Sequence, residues 1–130
     1  MGMTYLLDSH VFLWMATTPD RLPPRVMAVL ADHESELAVS AISAFEFAMK
    51  QRLGKFSSPI VERWEEAIRD LRATHRPVTS AQALLAGRLD WPHKDPFDRL
   101  LAAQAITDGL TFVTADPAFD SAPGLTLLRW

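Results

Sequence analysis

Asp8, Glu46, Asp98 and Asp116 are the residues of this chain best suited to chemistry. Carboxylates drawn together repel one another, and some take up protons unless a cation neutralises them. A site made only of such oxygens suits a hard divalent ion, Mg²⁺ or Mn²⁺. His10, His33, His75 and His93 are scattered, with no pair at a helical metal-binding spacing, and cysteine is absent, so zinc is not expected. The lack of cysteine also removes disulfides and thiolate nucleophiles and fits a reducing cytoplasm.

Each acid also has a plain structural use. Asp8 can cap the helix after it. Ser43-Ala44-Phe45-Glu46 has the pattern of a capping box, in which Glu46 bonds back to the helix start. Asp95 before Pro96 is an expected N-cap, and Asp98 sits in the first turn, where the helix dipole favours an anion. Asp116-Pro117 reads as a turn or cap pair. The two kinds of reading part on one point, whether the fold gathers the acids.

The elements that must do the gathering are short. Tyr5-Leu6-Leu7 reads as a buried strand ending at Asp8, followed by a helical segment from Ser9 to Ala16. Pro23-Pro24 opens a second helix with Val26, Val29 and Leu30 on one face. Leu37 to Ser40 is a second strand, and Ser43 to Leu53 a helix ended by Gly54. Ile60 to Ala73 has the spacing of a long amphipathic helix, and Arg76 to Thr79 that of a short edge strand limited by Pro77. A helix over Ser80–Leu89, another from Asp95-Pro96 to Asp108, a clear strand at Leu110–Thr114 and a last strand at Leu125–Leu128 complete the chain.

Strands alternating with helices indicate an α/β fold, a parallel sheet with helices on both faces. Ligands of such sheets bind beyond the carboxyl ends of the strands. Local sequence puts Asp8, Glu46 and Asp116 at that edge; Asp98 needs the tertiary fold to bring it there.

At 130 residues, 48% hydrophobic and 22% charged, the chain reads as one domain, 1–130, without an internal linker. No apolar run has the length to cross a bilayer, and no basic leading segment suggests a signal peptide. The net charge of −3 argues against a nucleic-acid partner, less so if cations sequester several acids.

Read together, Leu7-Asp8-Ser9-His10-Val11-Phe12-Leu13-Trp14, Leu37 to Ser43 with Glu46, Ala86-Gly87-Arg88-Leu89, His93 to Ala105 and Phe112 to Phe119 resemble the PIN-domain ribonucleases, and within them the VapC-type toxins of bacterial toxin–antitoxin pairs. The segments run in family order over nearly the whole chain. Asp-Pro-Phe-Asp-Arg followed by Thr-x-Asp-Pro-x-Phe is their most specific part. The resemblance implies a three-layer α/β/α fold with a parallel sheet of four to five strands, dependence on Mg²⁺ or Mn²⁺, and cleavage of RNA. It maps the family's four acids onto Asp8, Glu46, Asp98 and Asp116 as catalytic and metal-binding residues, and leaves Asp95 as a cap with a supporting part. Ser9 and Thr114 match supporting hydroxyl positions; Phe45 stands where many relatives carry Trp. A cognate antitoxin and a homodimer are the implied partners, with the Val11–Met15 and Phe45/Phe47/Met49 helices as candidate contact surfaces. Lys94 and Arg99, and further off Lys50, Arg52 and Lys55, are candidate contacts for RNA phosphates.

Other classes fit less well. A receiver-like phosphoacceptor wants an acidic pair after the first strand and a lysine after a late one; here Asp8 is followed by Ser9-His10, and Thr114 by Ala115-Asp116. A phosphatase with a nucleophilic Asp usually presents another Asp two residues on, where this chain has His10. A catalytically idle module that binds a regulatory partner, or an RNA-processing nuclease that is no toxin, stays open.

Overall fold

The computed structural model describes residues 2–130. Its elements are β1 (Thr4–Leu7), α1 (Ser9–Thr17), α2 (Pro24–Ala31), β2 (Glu36–Ser40), α3 (Ala41–Arg52), α4 (Trp64–Asp70), β3 (Ala73–Arg76), α5 (Ser80–Arg88), α6 (Pro96–Asp108), β4 (Thr111–Thr114) and β5 (Thr126–Arg129), with short 3₁₀ turns at Pro19–Arg21 and Pro117–Ser121. The five strands form one sheet in the order β3-β2-β1-β4-β5, every neighbouring pair parallel.

Period-two alternation divides the core. Tyr5, Leu7, Leu37, Val39 and Val113 face one side, where they pack with Phe12, Val26, Phe47 and Ile68 of the helices. Leu6, Ala38 and Phe112 face the other, against Leu101, Ala102 and Ala105 of α6. Helices therefore cover both faces, as the strand–helix alternation predicted. No helix among the described residues is long and apolar enough to cross a membrane.

Two elements differ from the sequence expectation. The long helix over Ile60–Ala73 is a series of turns followed by the two-turn α4, and the strand expected at Arg76–Thr79 is Ala73–Arg76. Arg72 holds a left-handed backbone, φ 55°, which reverses the chain as soon as Leu71 caps α4. Pro77, without an N–H, then ends the pairing rather than joining it.

The capping box expected at Ser43–Glu46 is absent. Ser40, at the end of β2, caps α3 by accepting from the Ile42 N–H, so Ser43 lies within the first turn of the helix and Glu46 in the second. A reciprocal box does occur, between Thr79 and Gln82 at the start of α5. Of the expected contact surfaces, Val11, Phe12 and Phe47 are buried in the core, whereas Phe45 (55% exposed) and Met49 (38%) remain open.

Candidate active site

The strand order reverses at β1: the chain proceeds to β2 and β3 on one side, then returns to place β4 and β5 on the other. Such a switch point opens a crevice beyond the carboxyl ends of the two diverging strands. Asp8 follows β1 there and Asp116 follows β4 by two residues. The start of α3, leaving the neighbouring β2, brings Glu46, and the first turn of α6 brings Asp98. All four line one cleft of about 390 Å³, together with His10, Trp14, Lys50 and Asp95.

Asp8 is 9% exposed. Its backbone N–H donates to the Val113 carbonyl (2.9 Å), extending the β1–β4 ladder by one rung and fixing where the side chain starts. One carboxylate oxygen accepts from the Ser9 N–H at 2.8 Å and the other from the Thr114 hydroxyl at 2.7 Å. Thr114 Oγ1 in turn accepts from the Asp116 N–H at 3.0 Å, so a single hydroxyl ties the loop after β4 to the acid after β1. Burial raises the Asp8 pKa and the Glu46 charge adds to the rise; the Thr114 and Ser9 bonds oppose it.

Glu46 is buried as well. The Ser9 hydroxyl donates to its Oε1 at 2.8 Å, Lys50 Nζ lies 2.6 Å from its Oε2, and Ser9 Oγ is also 2.8 Å from Ser43 Oγ. Ser9 and Thr114 thus hydrogen-bond carboxylates of the cleft.

Asp98 pairs with His93 Nε2 at 2.7 Å, its side chain 17% exposed. Its pKa is pushed up to about 6, chiefly by burial, with the Asp95 and Asp8 charges adding and the His93 bond opposing. Asp95 caps α6 through the N–H groups of Phe97 and Asp98, as expected, and stays on the cleft wall. Asp116 is exposed and accepts from the Ala118 N–H at 2.9 Å, capping the turn after β4.

Among the described residues, no three His, Asp or Glu side chains already form a closed metal cage. The acids ring the cleft with their oxygens engaged by hydroxyl, amide, imidazole and ammonium groups. The set nevertheless suits a hard divalent cation: the donors are oxygens, and two carboxyls, one buried and one partly buried, carry raised pKa values that a cation would bring down.

Arg99 is a correction. Its guanidinium donates to the carbonyls of Ala86, Leu89, Trp91 and His93 at 2.5–2.9 Å, four bonds that bind the segment between α5 and α6 to the start of α6. With four of its five N–H donors spent on the backbone, it fastens this loop first, and a single N–H is left for any phosphate. Lys94, in the same loop, is exposed. The partners that sequence reasoning missed are His93, five residues before Asp98 with no periodicity to link them, and Ser43, hidden by the false capping box. Lys50 had a signal, since i and i+4 share a helix face.

The raised Asp98 pKa gives a signed prediction. Folded protein holds a proton here up to about pH 6, whereas the ordinary carboxyl releases it near 3.8. This group's contribution to stability is therefore complete below about pH 4 and lost as pH rises through 6. Asp98→Asn, with no charge to bury, should exceed wild type by about 1–2 kcal/mol at pH 7.5 without metal, allowing for solvent screening. The gap should close towards pH 4. Thermal melts at both pH values check this; equal melting temperatures at pH 7.5 would refute it.

Comparison with known proteins bears on the family and the fold. Residues 5–125 match the PIN domain family. The chain is 35% identical over 115 residues to Ribonuclease VapC22 of Mycobacterium tuberculosis, covering 87% of each. Similar solved structures include VapBC2 of Rickettsia felis bound to a DNA fragment from its promoter (TM-score 0.72, 20% identity, 98% of this chain and 99% of that one). A toxin–antitoxin complex from Klebsiella pneumoniae is another (TM-score 0.65, 16% identity, 94% and 95%).

Proposed function

Because the chain belongs to the PIN domain family, we propose that it is a metal-dependent endoribonuclease acting as the toxin of a toxin–antitoxin pair. The observation that carries the reading is the meeting of Asp8, Glu46, Asp98 and Asp116 in one cleft at the sheet's switch point. The relative at 35% identity is named a ribonuclease, which supports RNA as the substrate.

In this reading Asp8, Asp98 and Asp116 supply the oxygens that hold Mg²⁺ or Mn²⁺, and Glu46 orients the attacking water. Once bound, the ion lowers the pKa of a coordinated water and polarises the phosphate. Thr114 and Ser9 keep the Asp8 carboxylate aimed into the cleft, and Ser9 does the same for Glu46. His93 holds Asp98, and Lys94 on the exposed loop meets a flanking phosphate. The partners are then RNA, a cognate antitoxin that covers the cleft, and a second copy of the chain meeting the Phe45 and Met49 side of α3.

The test is to incubate purified protein with RNA in Mg²⁺ or Mn²⁺, with and without EDTA. Cleavage should need the ion and stop with EDTA; cleavage unaffected by EDTA would sink the reading. Binding has its own signature, since Mn²⁺ at about 100 times its dissociation constant should stabilise the fold by roughly 3 kcal/mol. That is on the order of an 8 °C rise in melting temperature for a domain of this size. An unchanged melting curve at millimolar Mn²⁺ would count against the site.

A further inference from the structure

Among the described residues lining the cleft, Lys50 is the one that carries an ammonium. It stands one helical turn after Glu46 on α3, with Nζ 2.6 Å from Glu46 Oε2. The Glu46 side chain is 7% exposed and that of Lys50 36%, so the pair is formed at the cleft wall, with the carboxylate inside and the ammonium at the mouth. The other oxygen, Oε1, takes the Ser9 hydroxyl. Both oxygens of Glu46 are therefore engaged, one of them by a full positive charge.

The other acids differ. Asp8 accepts from a hydroxyl and an amide, Asp116 from an amide, and Asp98 from an imidazole. None of these three shares a described salt bridge with a lysine or arginine. A divalent ion approaching Glu46 would have to displace Lys50 or sit within a few ångströms of it, and repulsion at that range is strong in a partly dry cleft. An ion approaching Asp8, Asp98 and Asp116 meets no lysine or arginine, and the His93 imidazole on Asp98 opposes it only when protonated.

We propose that this cleft takes one divalent ion, held by Asp8, Asp98 and Asp116, and that the Lys50 ammonium occupies the place of a second. Lys50 then has two duties. It holds Glu46 charged and oriented, and it gives the cleft a fixed positive charge towards an incoming phosphate, in the position where a two-metal site would use an ion. The inference rests on the metal-dependent reading above and deepens it by fixing the number of ions and the role of Lys50.

The experiment is to count Mn²⁺ ions bound per chain by isothermal titration calorimetry, using wild type, Lys50→Gln, Lys50→Arg and Glu46→Gln. One ion is expected for wild type and for Lys50→Arg, which keeps the charge. Lys50→Gln should bind two, the second at least ~10-fold tighter than any residual second binding by wild type. Glu46→Gln, which keeps an acceptor for Ser9, should bind one ion with an affinity within ~3-fold of wild type; this variant decides the matter if Lys50→Gln fails to fold. Two ions on wild type, one ion on folded Lys50→Gln, or loss of the ion from Glu46→Gln would each overturn the role given to Lys50 while leaving a metal-dependent nuclease standing. No Mn²⁺ bound by wild type, together with EDTA-resistant cleavage, would instead overturn the underlying reading.

Discussion

Asp8→Asn is expected to lower the rate of RNA cleavage by about 10³-fold or more, while the folded protein is as stable as wild type or slightly more so. Loss of an anionic ligand removes several kcal/mol of stabilisation from the developing charge, and about 4 kcal/mol is a thousandfold in rate. The fold should not suffer. Asparagine keeps an acceptor for the Ser9 N–H, and its amide can donate to Thr114 Oγ1, which now accepts from the Asp116 N–H alone. It also removes a carboxylate that is 9% exposed and costly to keep charged there. The measurements are single-turnover cleavage in Mn²⁺ and a thermal melt of the same preparation. Cleavage within tenfold of wild type would show that Asp8 is only the cap of α1.

Arg99→Lys should be nearly as damaging to the fold as Asp8→Asn is to activity. The fork of the guanidinium reaches four carbonyls spread over residues 86–93, and a single ammonium cannot span them. Unmet carbonyls cost about 1–3 kcal/mol each where water is excluded, but this site is only partly buried. A total of roughly 3–4 kcal/mol is therefore expected, read as a lower urea midpoint at unchanged slope. The segment so loosened carries His93 and Asp95, hence cleavage should fall as well. If Arg99 were instead a phosphate contact, stability would hold and RNA affinity would lose about one unit of salt dependence. A loss of stability below 1 kcal/mol would favour that view.

These two residues mark how far the sequence can be read. Asp8 was legible because a short apolar run stops at an acid, a local pattern that needs no partner. The sheet was legible from the same runs, each too short for a helix and separated by segments with helical spacing. Asp98 could be preferred to Asp95 only through family likeness, since both suit the first turn of α6; the structure gives Asp95 the cap and Asp98 the partly buried pairing with His93. Arg99 was misread because its partners are backbone carbonyls, which every residue has and which leave no trace in side-chain spacing. β3 was misplaced for a related reason. The turn before it depends on a left-handed Arg72, a conformation that composition does not announce outside glycine and asparagine.

The bond between Thr114 and Asp8 joins residues 106 positions apart, across the two central strands of the sheet. During synthesis Asp8 leaves the ribosome well before α6 and β4, which complete the cleft. At about 5–20 residues per second the two halves are separated by roughly 5–20 s. Over that interval the nascent chain holds one half of the cleft and lacks the other. A cleft laid out in this way cannot bring its four acids together until the turn after β4 has been made.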